Sequence, residues 1–147
     1  MIRAAMQEDL PAIALLRWRW VTEMSGGMDE SGRDEFLRAL VSWADAHSTS
    51  HFCFVADNSA GLVGMAWLAL APRLPSPGQL DRRNGEIQSV YVVPELRNSG
   101  IGGQLISLAL TTADAYGVER TIVHSSESAV ASYERAGFAA STLLLER

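Results

Sequence analysis

Hydrophobic positions recur along the chain with two periods, one helical and one extended, and polar turns separate the segments. Apolar residues spaced three and four apart predict four helices, over 8–24, 29–46, 101–116 and 128–136. Apolar β-branched and aromatic runs predict six strands, over 2–5, 52–56, 62–70, 86–93, 120–125 and 140–146. A segment with three prolines, 71–83, predicts a loop. This order predicts one α/β (α+β) domain, 1–147, with a mixed sheet that has helices on both faces.

The segment 90–103 carries the clearest functional signal in the chain. An apolar strand stops at Pro94, a turn with three glycines within four residues follows, and an amphipathic helix begins at once. The glycines are Gly100, Gly102 and Gly103. A helix N-terminus offers unpaired N–H groups and the positive end of a dipole, and glycines let the backbone approach an anion closely. The segment therefore predicts a phosphate-binding loop.

Two common classes of phosphate site do not fit this loop. The dinucleotide fingerprint requires a third glycine where the chain has Leu105, so the dinucleotide-binding domain of an oxidoreductase is disfavoured. A P-loop requires a lysine, and all 12 basic residues of this chain are arginines. The absence of lysine also excludes Schiff-base and pyridoxal-phosphate chemistry.

The pattern that remains, Arg97-x-x-Gly100-x-Gly102, resembles the acyl-CoA pyrophosphate loop of the GNAT (Gcn5-related N-acetyltransferase) superfamily. The segment 133–138, which reads YERAGF, resembles a second motif of that family, and the resemblance extends over nearly the whole chain. It implies a GNAT-like mixed, mostly antiparallel sheet, with acetyl-CoA as the cosubstrate. The implied activity is direct transfer of an acetyl group to a primary amine of a small molecule, amino acid or peptide. A catalytically silent acyl-CoA-binding module is the alternative.

The resemblance also implies a base and an acid for this transfer. Glu86, at the start of the central strand, occupies the position of the general base in the histone-acetyltransferase branch of the family. Tyr133 occupies the position of the general acid, which protonates the departing thiolate. Strand alternation predicts that Glu86 shares one face with Gln88, Val90 and Val92.

The same resemblance implies where acetyl-CoA binds. Pantetheine would pair with an open strand edge at 90–92, where a backbone N–H would also hold the oxyanion. Pyrophosphate would take backbone N–H groups from 98–103, and Arg97 would either contact it or brace the loop. Ser126 stands where the family usually has an asparagine that contacts CoA. The residues expected at the cosubstrate are Val90, Tyr91, Val92, Arg97, Asn98, Ser99, Gly100, Ile101, Gly102, Gly103 and Ser126.

Composition narrows the partners and the compartment. A net charge of −5 argues against nucleic acid as a partner, and no apolar run approaches the ~20 residues that cross a membrane. The one cysteine, Cys53, lies in an apolar run, which predicts a buried strand residue and a reducing, cytoplasmic location. His47 and His51 lack metal-ligand spacing, so no metal is expected. His124, at the end of a predicted strand, is an alternative general base.

The acceptor site is the feature that the sequence determines least. A cluster of acids near Trp18 and Trp20 would hold an alkylammonium group, although a solvated helix face is the simpler interpretation. These acids are Glu23, Asp29, Glu30, Asp34 and Glu35. Three arginines would instead recognise an acceptor that carries a carboxylate, and they are Arg73, Arg82 and Arg83. The sequence leaves a homodimer open.

Overall fold

A five-stranded sheet forms the centre of the computed structural model, which describes residues 1–27 and 29–147. Its strands are β1 (Ile2–Ala4), β2 (His51–Asn58), β3 (Gly61–Arg73), β4 (Arg82–Val92) and β5 (Arg120–Val123). They lie in chain order, and every neighbouring pair is antiparallel except β4 and β5, which are parallel. The predicted mixed, mostly antiparallel sheet is confirmed.

Helices cover both faces of this sheet, as the sequence predicted. They are α1 (Leu10–Met24), α2 (Arg33–Ala46), α3 (Ile101–Ala115) and α4 (Val130–Arg135). α3 joins β4 to β5, because parallel neighbours need a crossover rather than a hairpin. α1 and α2 pack on one face, called here the α1/α2 face, and α3 and α4 pack on the other, the α3 face. Among the described residues, no helix is both long and apolar enough to cross a membrane.

Two buried clusters fix these layers to the sheet. On the α3 face, Leu105 of α3 and Leu68 of β3 are fully buried in one cluster. On the α1/α2 face, Ile13 of α1 and Met65 of β3 are fully buried in the other. Met65 and Leu68 lie an odd number of positions apart on β3, so their side chains leave the strand on opposite faces. Each buried side chain of this size contributes about 1.5–3 kcal/mol, so hydrophobic burial holds both helical layers to the sheet.

One register shift between β3 and β4 decides which way the functional side chains point. Leu68 pairs with Ile87 and the preceding Trp67 pairs with Ser89, so Gln88 has no partner on β3. Gln88 is therefore the extra residue of a β-bulge. An extra residue shifts the alternation of side chains along a strand, so positions before and after the bulge exchange faces.

The bulge shows that one prediction is wrong. Val90 and Val92 pack against the buried cluster of the α3 face. Glu86 pairs with Ala69, which leaves β3 on the same face as Met65, so its side chain lies on the α1/α2 face. Glu86 therefore does not share a face with the two valines, because the inserted residue reverses the alternation between them.

The ends of several elements also differ from the sequence prediction. No strand forms at 140–146 in the described chain, where Leu143 and Leu145 are 87% and 89% exposed. A run of leucines is as hydrophobic as a strand, but no neighbouring strand pairs with this one. Whether a segment becomes a strand depends more on such pairing than on its intrinsic propensity. The predicted loop at 71–83 is shorter, 74–81, because β3 and β4 continue to pair as far as Arg73 and Arg82.

Candidate functional site

The turn between β4 and α3 presents a row of backbone N–H groups. Asn98 has φ 62° and Gly100 has φ 87°, so the chain turns through two left-handed positions before α3 begins. Gly100 is the N-cap of α3, and no side chain caps the helix. The first helical hydrogen bond is from the Gln104 N–H to the Gly100 carbonyl, 3.1 Å. The N–H groups of residues 100–103 precede this bond, so they have no partner within the helix. They lie at the positive end of a 15-residue helix, which is the arrangement that binds an anion.

Two glycines in the first turn of α3 leave room for a ligand. A Cβ on Gly102 would meet only Val92 Cγ2, at 3.8 Å, which is an ordinary contact. A Cβ on Gly103 would meet nothing within 4 Å. Both positions are thus open toward solvent, and a longer side chain would occupy the space beside the N–H groups.

The edge of β4 is open next to this turn. β4 and β5 pair only as far as Ile87 and Val123, so the later part of β4 has β3 as its neighbour on one side alone. The Val93 N–H bonds to the Val63 carbonyl of β3, 2.9 Å. Because successive N–H groups alternate in direction, those of residues 90 and 92 point away from β3, toward the open edge. An extended ligand can therefore add to the sheet here as a strand would.

A cleft of about 940 Å³ joins the turn, the open edge and α4. It is lined on one side by β4 and the loop, and on the other by α3 and α4. Nine of the residues predicted to bind the cosubstrate or to take part in catalysis line this cleft. They are Val90, Val92, Arg97, Asn98, Gly100, Ile101, Gly102, Gly103 and Tyr133. Four predicted residues do not line it: Glu86, Tyr91, Ser99 and Ser126.

Three of these four residues, Tyr91, Ser99 and Ser126, have other surroundings close to the cleft. The Tyr91 side chain is buried in the cluster of the α1/α2 face, although its backbone belongs to the open edge. The Ser99 hydroxyl donates to the Leu96 carbonyl, which tightens the turn. Ser126 occupies the N-cap position of the short helical turn before α4, but its side chain makes no capping hydrogen bond there. Its hydroxyl lies 3.3 Å from that of Ser128, which does line the cleft.

Tyr133 of α4 presents its phenol to the cleft from a buried position. Only 8% of the residue is exposed, and its ring meets that of Phe138 edge to face, with 5.5 Å between centroids. Burial raises the pKa of the Tyr133 phenol, so the group is protonated at neutral pH. No hydrogen bond to its hydroxyl exists among the described residues, which leaves the O–H available to a ligand.

Arg97 braces the loop and does not point toward the N–H groups. Its Nε donates to the Val92 carbonyl at 3.0 Å, and its Nη2 donates to Glu23 of α1 at 2.7 Å. The Tyr91 hydroxyl donates to the other oxygen of Glu23. Burial and this hydrogen bond raise the pKa of Tyr91 to about 12. Burial opposes ionisation of Glu23, but the hydrogen bonds from Tyr91 and Arg97 outweigh it, and the pKa of Glu23 is lowered.

Glu23 is one of the acids predicted to hold an alkylammonium group, but in the structure it binds Tyr91 and Arg97 and so braces the loop. It lies 74 residues from Arg97 in sequence, and no spacing rule links the two. Several other groups proposed at the acceptor site are also engaged. Asp29 accepts from the Ser31 N–H, Arg73 and Arg82 both pair with Glu119, and Arg83 pairs with Asp81.

Glu86 lies on the α1/α2 face, in a row of directly paired residues that runs from His51 through Ala69. It is half-buried, and no hydrogen bond or ion pair engages its carboxylate among the described residues. Burial and then His47 lower the pKa of His51, while the charge of Glu86 raises it, so the two groups are within electrostatic reach. His124 is instead exposed at the end of β5, 3.6 Å from Glu146. Sequence periodicity did not reveal the proximity of His51 to Glu86, which depends on strand register.

Comparison with known proteins gives a consistent result. The model of the acetyltransferase (GNAT) family matches residues 12–138. A glucosamine 6-phosphate N-acetyltransferase of Trypanosoma brucei brucei is 34% identical over 92 residues. That match covers 63% of this chain and 59% of the relative, so the chain spans about three fifths of the length of the curated relative it matches.

Solved structures with the same fold cover the whole chain. A predicted acetyltransferase of Clostridium acetobutylicum, crystallised with acetyl-CoA, superposes with a TM-score of 0.79 at 18% identity, over 100% of this chain and 94% of that one. A Trypanosoma brucei acetyltransferase superposes with a TM-score of 0.76 at 25% identity, over 100% and 97%. These neighbours confirm the predicted fold.

We expect Glu23→Gln to lower the free energy of unfolding at pH 7 by about 1–2 kcal/mol, because it weakens charged hydrogen bonds to Tyr91 and Arg97. The pKa of Glu23 is lower in the folded protein, so its contribution is complete above the unfolded pKa of about 4.3 and is lost as the pH falls through the folded value. Urea unfolding at pH 7 and at pH 3 measures both effects. Glu95→Gln, which removes an exposed partner of Arg19, should leave the midpoint nearly unchanged. Equal midpoints for wild type and Glu23→Gln at pH 7 would contradict the role of this brace.

Proposed function

The chain belongs to the acetyltransferase (GNAT) family, and from that premise we propose that it transfers an acetyl group from acetyl-CoA to a primary amine of a small molecule, amino acid or peptide. One observation carries the proposal: a single cleft joins the N-terminus of α3, the open edge of β4 and the phenol of Tyr133. These are the groups needed to hold a pyrophosphate, an extended pantetheine and a leaving thiolate.

Acetyl-CoA would bind along this cleft on the α3 face. The N–H groups of residues 100–103 would hold the pyrophosphate at the positive end of α3. Pantetheine would lie along the edge at 90–92, where an N–H that points away from β3 would meet the carbonyl oxygen of the thioester. The side chains of Val90 and Val92 would pack against its apolar parts.

The acceptor would approach from the opposite face of the sheet, where Glu86 lies. β4 and β5 part beyond Ile87, so the thioester carbon and the amine can meet in the gap between the strands. In the reaction, Glu86 would accept the proton of the ammonium group, directly or through water, and the amine nitrogen would then form a bond to the carbonyl carbon. The C–S bond would break, and the thiolate would take the proton of the Tyr133 hydroxyl. The proton that the nitrogen still carries in excess of the amide would then pass to the Tyr133 oxygen, directly or through water. In this arrangement both substrates would be bound at once, and the acetyl group would transfer directly without an acetyl-enzyme.

The state of the cysteine supports a cytoplasmic location for the protein. The single cysteine, Cys53, is buried on β2, and burial raises the pKa of its thiol, which keeps it protonated and unreactive. A buried reduced thiol is consistent with work in a reducing compartment such as the cytoplasm.

Gly102→Asp should weaken CoA binding by at least roughly a hundredfold, because a carboxylate beside the N–H groups repels the pyrophosphate and competes for its hydrogen bonds. The fold should persist, since there is room for a Cβ and an acid in the first turn suits the helix dipole. Gly102→Asn has the same size without the charge and separates crowding from repulsion. Calorimetric titration with CoA and circular dichroism measure the two effects. Unchanged CoA affinity in the Asp variant would reject this phosphate site.

Glu86→Gln should lower turnover at pH 7 by roughly a hundredfold or more, the usual effect of losing a general base, while CoA affinity stays the same. Thiol release from acetyl-CoA over a panel of amines measures turnover. Glu8→Gln, which removes an exposed carboxylate before α1 and away from the cleft, is the control for loss of one negative charge. If Glu86→Gln retains wild-type turnover from pH 6 to 9, His51 and His124 become the candidates for the base.

If the wild-type protein binds acetyl-CoA and acetylates no amine, it is the silent binding module instead.

Tyr133→Phe should lower turnover by roughly ten- to a thousandfold with little change in stability or acetyl-CoA affinity, because it removes one hydroxyl and keeps the ring. The alkaline limb of the pH–rate profile, if this phenol causes it, should also disappear. Tyr116→Phe is the matched control, since that tyrosine packs against Phe52 outside the cleft. A Tyr133→Phe enzyme as fast as wild type would assign the ring a packing role only.

A further inference from the structure

Arg17 differs from the other arginines of the chain in its surroundings. Seven of the 12 arginines form ion pairs with carboxylates, and they are Arg3, Arg19, Arg33, Arg73, Arg82, Arg83 and Arg97. Four others are exposed to solvent, and they are Arg38, Arg120, Arg135 and Arg147. Arg17 is neither exposed nor paired with a carboxylate among the described residues. A partly buried charge without a counter-ion is costly and is rarely retained without a role.

The guanidinium of Arg17 is held in place between α1 and β4. Its Cζ lies 4.2 Å from the centroid of the Trp20 ring, and its Nη1 is 3.3 Å from the Ser89 hydroxyl. Stacking on an aromatic face leaves the edges of the guanidinium, with their N–H groups, available for planar recognition of an anion. Burial lowers the pKa of Arg17, but the group stays charged at neutral pH. The cation is therefore positioned before any ligand arrives.

Arg17 and Glu86 lie on the same face of β4. Ser89 pairs with Trp67, whose side chain belongs to the cluster of the α1/α2 face, and Glu86 pairs with Ala69 two residues farther along β3. Ser89 and Glu86 are three residues apart on β4, which separates their Cα atoms by at most about 10 Å. The two side chains do not form an ion pair with each other. One small molecule with a cationic and an anionic end is long enough to contact both.

We propose that Arg17 binds an anionic group, a carboxylate or a phosphate, on the acceptor amine, so that the enzyme selects amines that carry a negative charge. This inference rests on the function proposed above, because Glu86 has to receive the amine end. It gives Arg17 the role of a specificity-determining residue that contacts the acceptor away from the reacting atoms. The arginines that the sequence had suggested for this role, at 73, 82 and 83, already pair with acids.

The test compares amines that differ only in the anionic group. β-Alanine against β-alaninamide tests a carboxylate, and 2-aminoethyl phosphate against ethanolamine tests a phosphate. Thiol release from acetyl-CoA gives kcat and KM for each. The wild-type enzyme should prefer the anionic member of one pair, and Arg17→Gln should raise its KM about tenfold to a hundredfold, the scale of a charge-assisted hydrogen bond pair. The variant should keep the wild-type rate with the neutral amine and the wild-type affinity for acetyl-CoA.

Two further variants separate specificity from structure. Arg17→Lys keeps the charge without the planar fork, and it should restore part of the preference. Arg38→Gln removes an exposed cation from α2 and should leave all four amines unchanged. Equal losses for anionic and neutral amines in Arg17→Gln, or a wild-type preference for the neutral amines, would overturn the proposal.

Direct binding keeps this inference separate from the proposed function. Calorimetric titration of β-alanine and 2-aminoethyl phosphate into the complex with CoA, which has no acetyl group to transfer, measures binding at Arg17 whether or not either amine turns over. Binding of either anion that Arg17→Gln weakens at least about tenfold supports the proposal independently of catalysis. Equal affinity, or no binding by the wild-type protein, would overturn it.

Discussion

The extra residue in β4 is the feature on which the arrangement of the site depends. Without Gln88, regular alternation would place Glu86 on the same face as Val90 and Val92, toward the cleft on the α3 face. With it, the carboxylate lies across the sheet from the cleft. A bulge disrupts some of the hydrogen bonds between the two strands. Bulges are nevertheless common where a strand has to change the direction of a side chain. Here the bulge lies where the pairing of β4 with β5 ends. The side chains of β4 therefore exchange faces at the point where the gap between these two strands opens.

A second constraint concerns how a chain with net charge −5 and no lysine would hold the polyanionic cosubstrate proposed above. Over distances beyond about 8 Å, physiological salt screens exposed charges, so the overall charge is weakly felt in the cleft. The local field at the loop comes from backbone dipoles, which carry no counter-ion and need no desolvation of a side chain. Arg97 is compensated by Glu23 and serves to hold the turn against α1. The positive end of α3 is then left unobstructed, with glycines at two of its first three positions.

Local sequence signals predicted the parts of the site that depend on local geometry. The turn with its glycines, the start of α3 and the left-handed capacity of Asn98 all depend on neighbouring residues. The features that were missed depend on contacts between distant segments. The side on which Glu86 lies follows from the pairing of β3 with β4, and the brace joins Glu23 of α1 to a loop 74 residues away. The strand expected at 140–146 failed for the same reason, since a leucine-rich run becomes a strand only where a ladder partner is available.

The division of polar groups between the two faces also bears on how donor and acceptor are kept apart. The groups on the α3 face that meet the proposed cosubstrate are mostly backbone N–H groups and one protonated phenol, and they suit an anion and a leaving thiolate. The α1/α2 face offers two half-buried side chains of opposite charge, Glu86 and Arg17, and neither forms an ion pair within the part of the chain that the structure describes. Leaving both without an ion pair costs folding free energy, because each loses hydration without gaining a counter-ion. The large buried clusters on both faces of the sheet offset that cost.

An acceptor with complementary charges would supply the missing counter-ions of both groups at once, so binding would recover the free energy that the unpaired charges cost in folding. That recovery is a physical reason for the acceptor to bind in one orientation, with its amine toward the gap between β4 and β5.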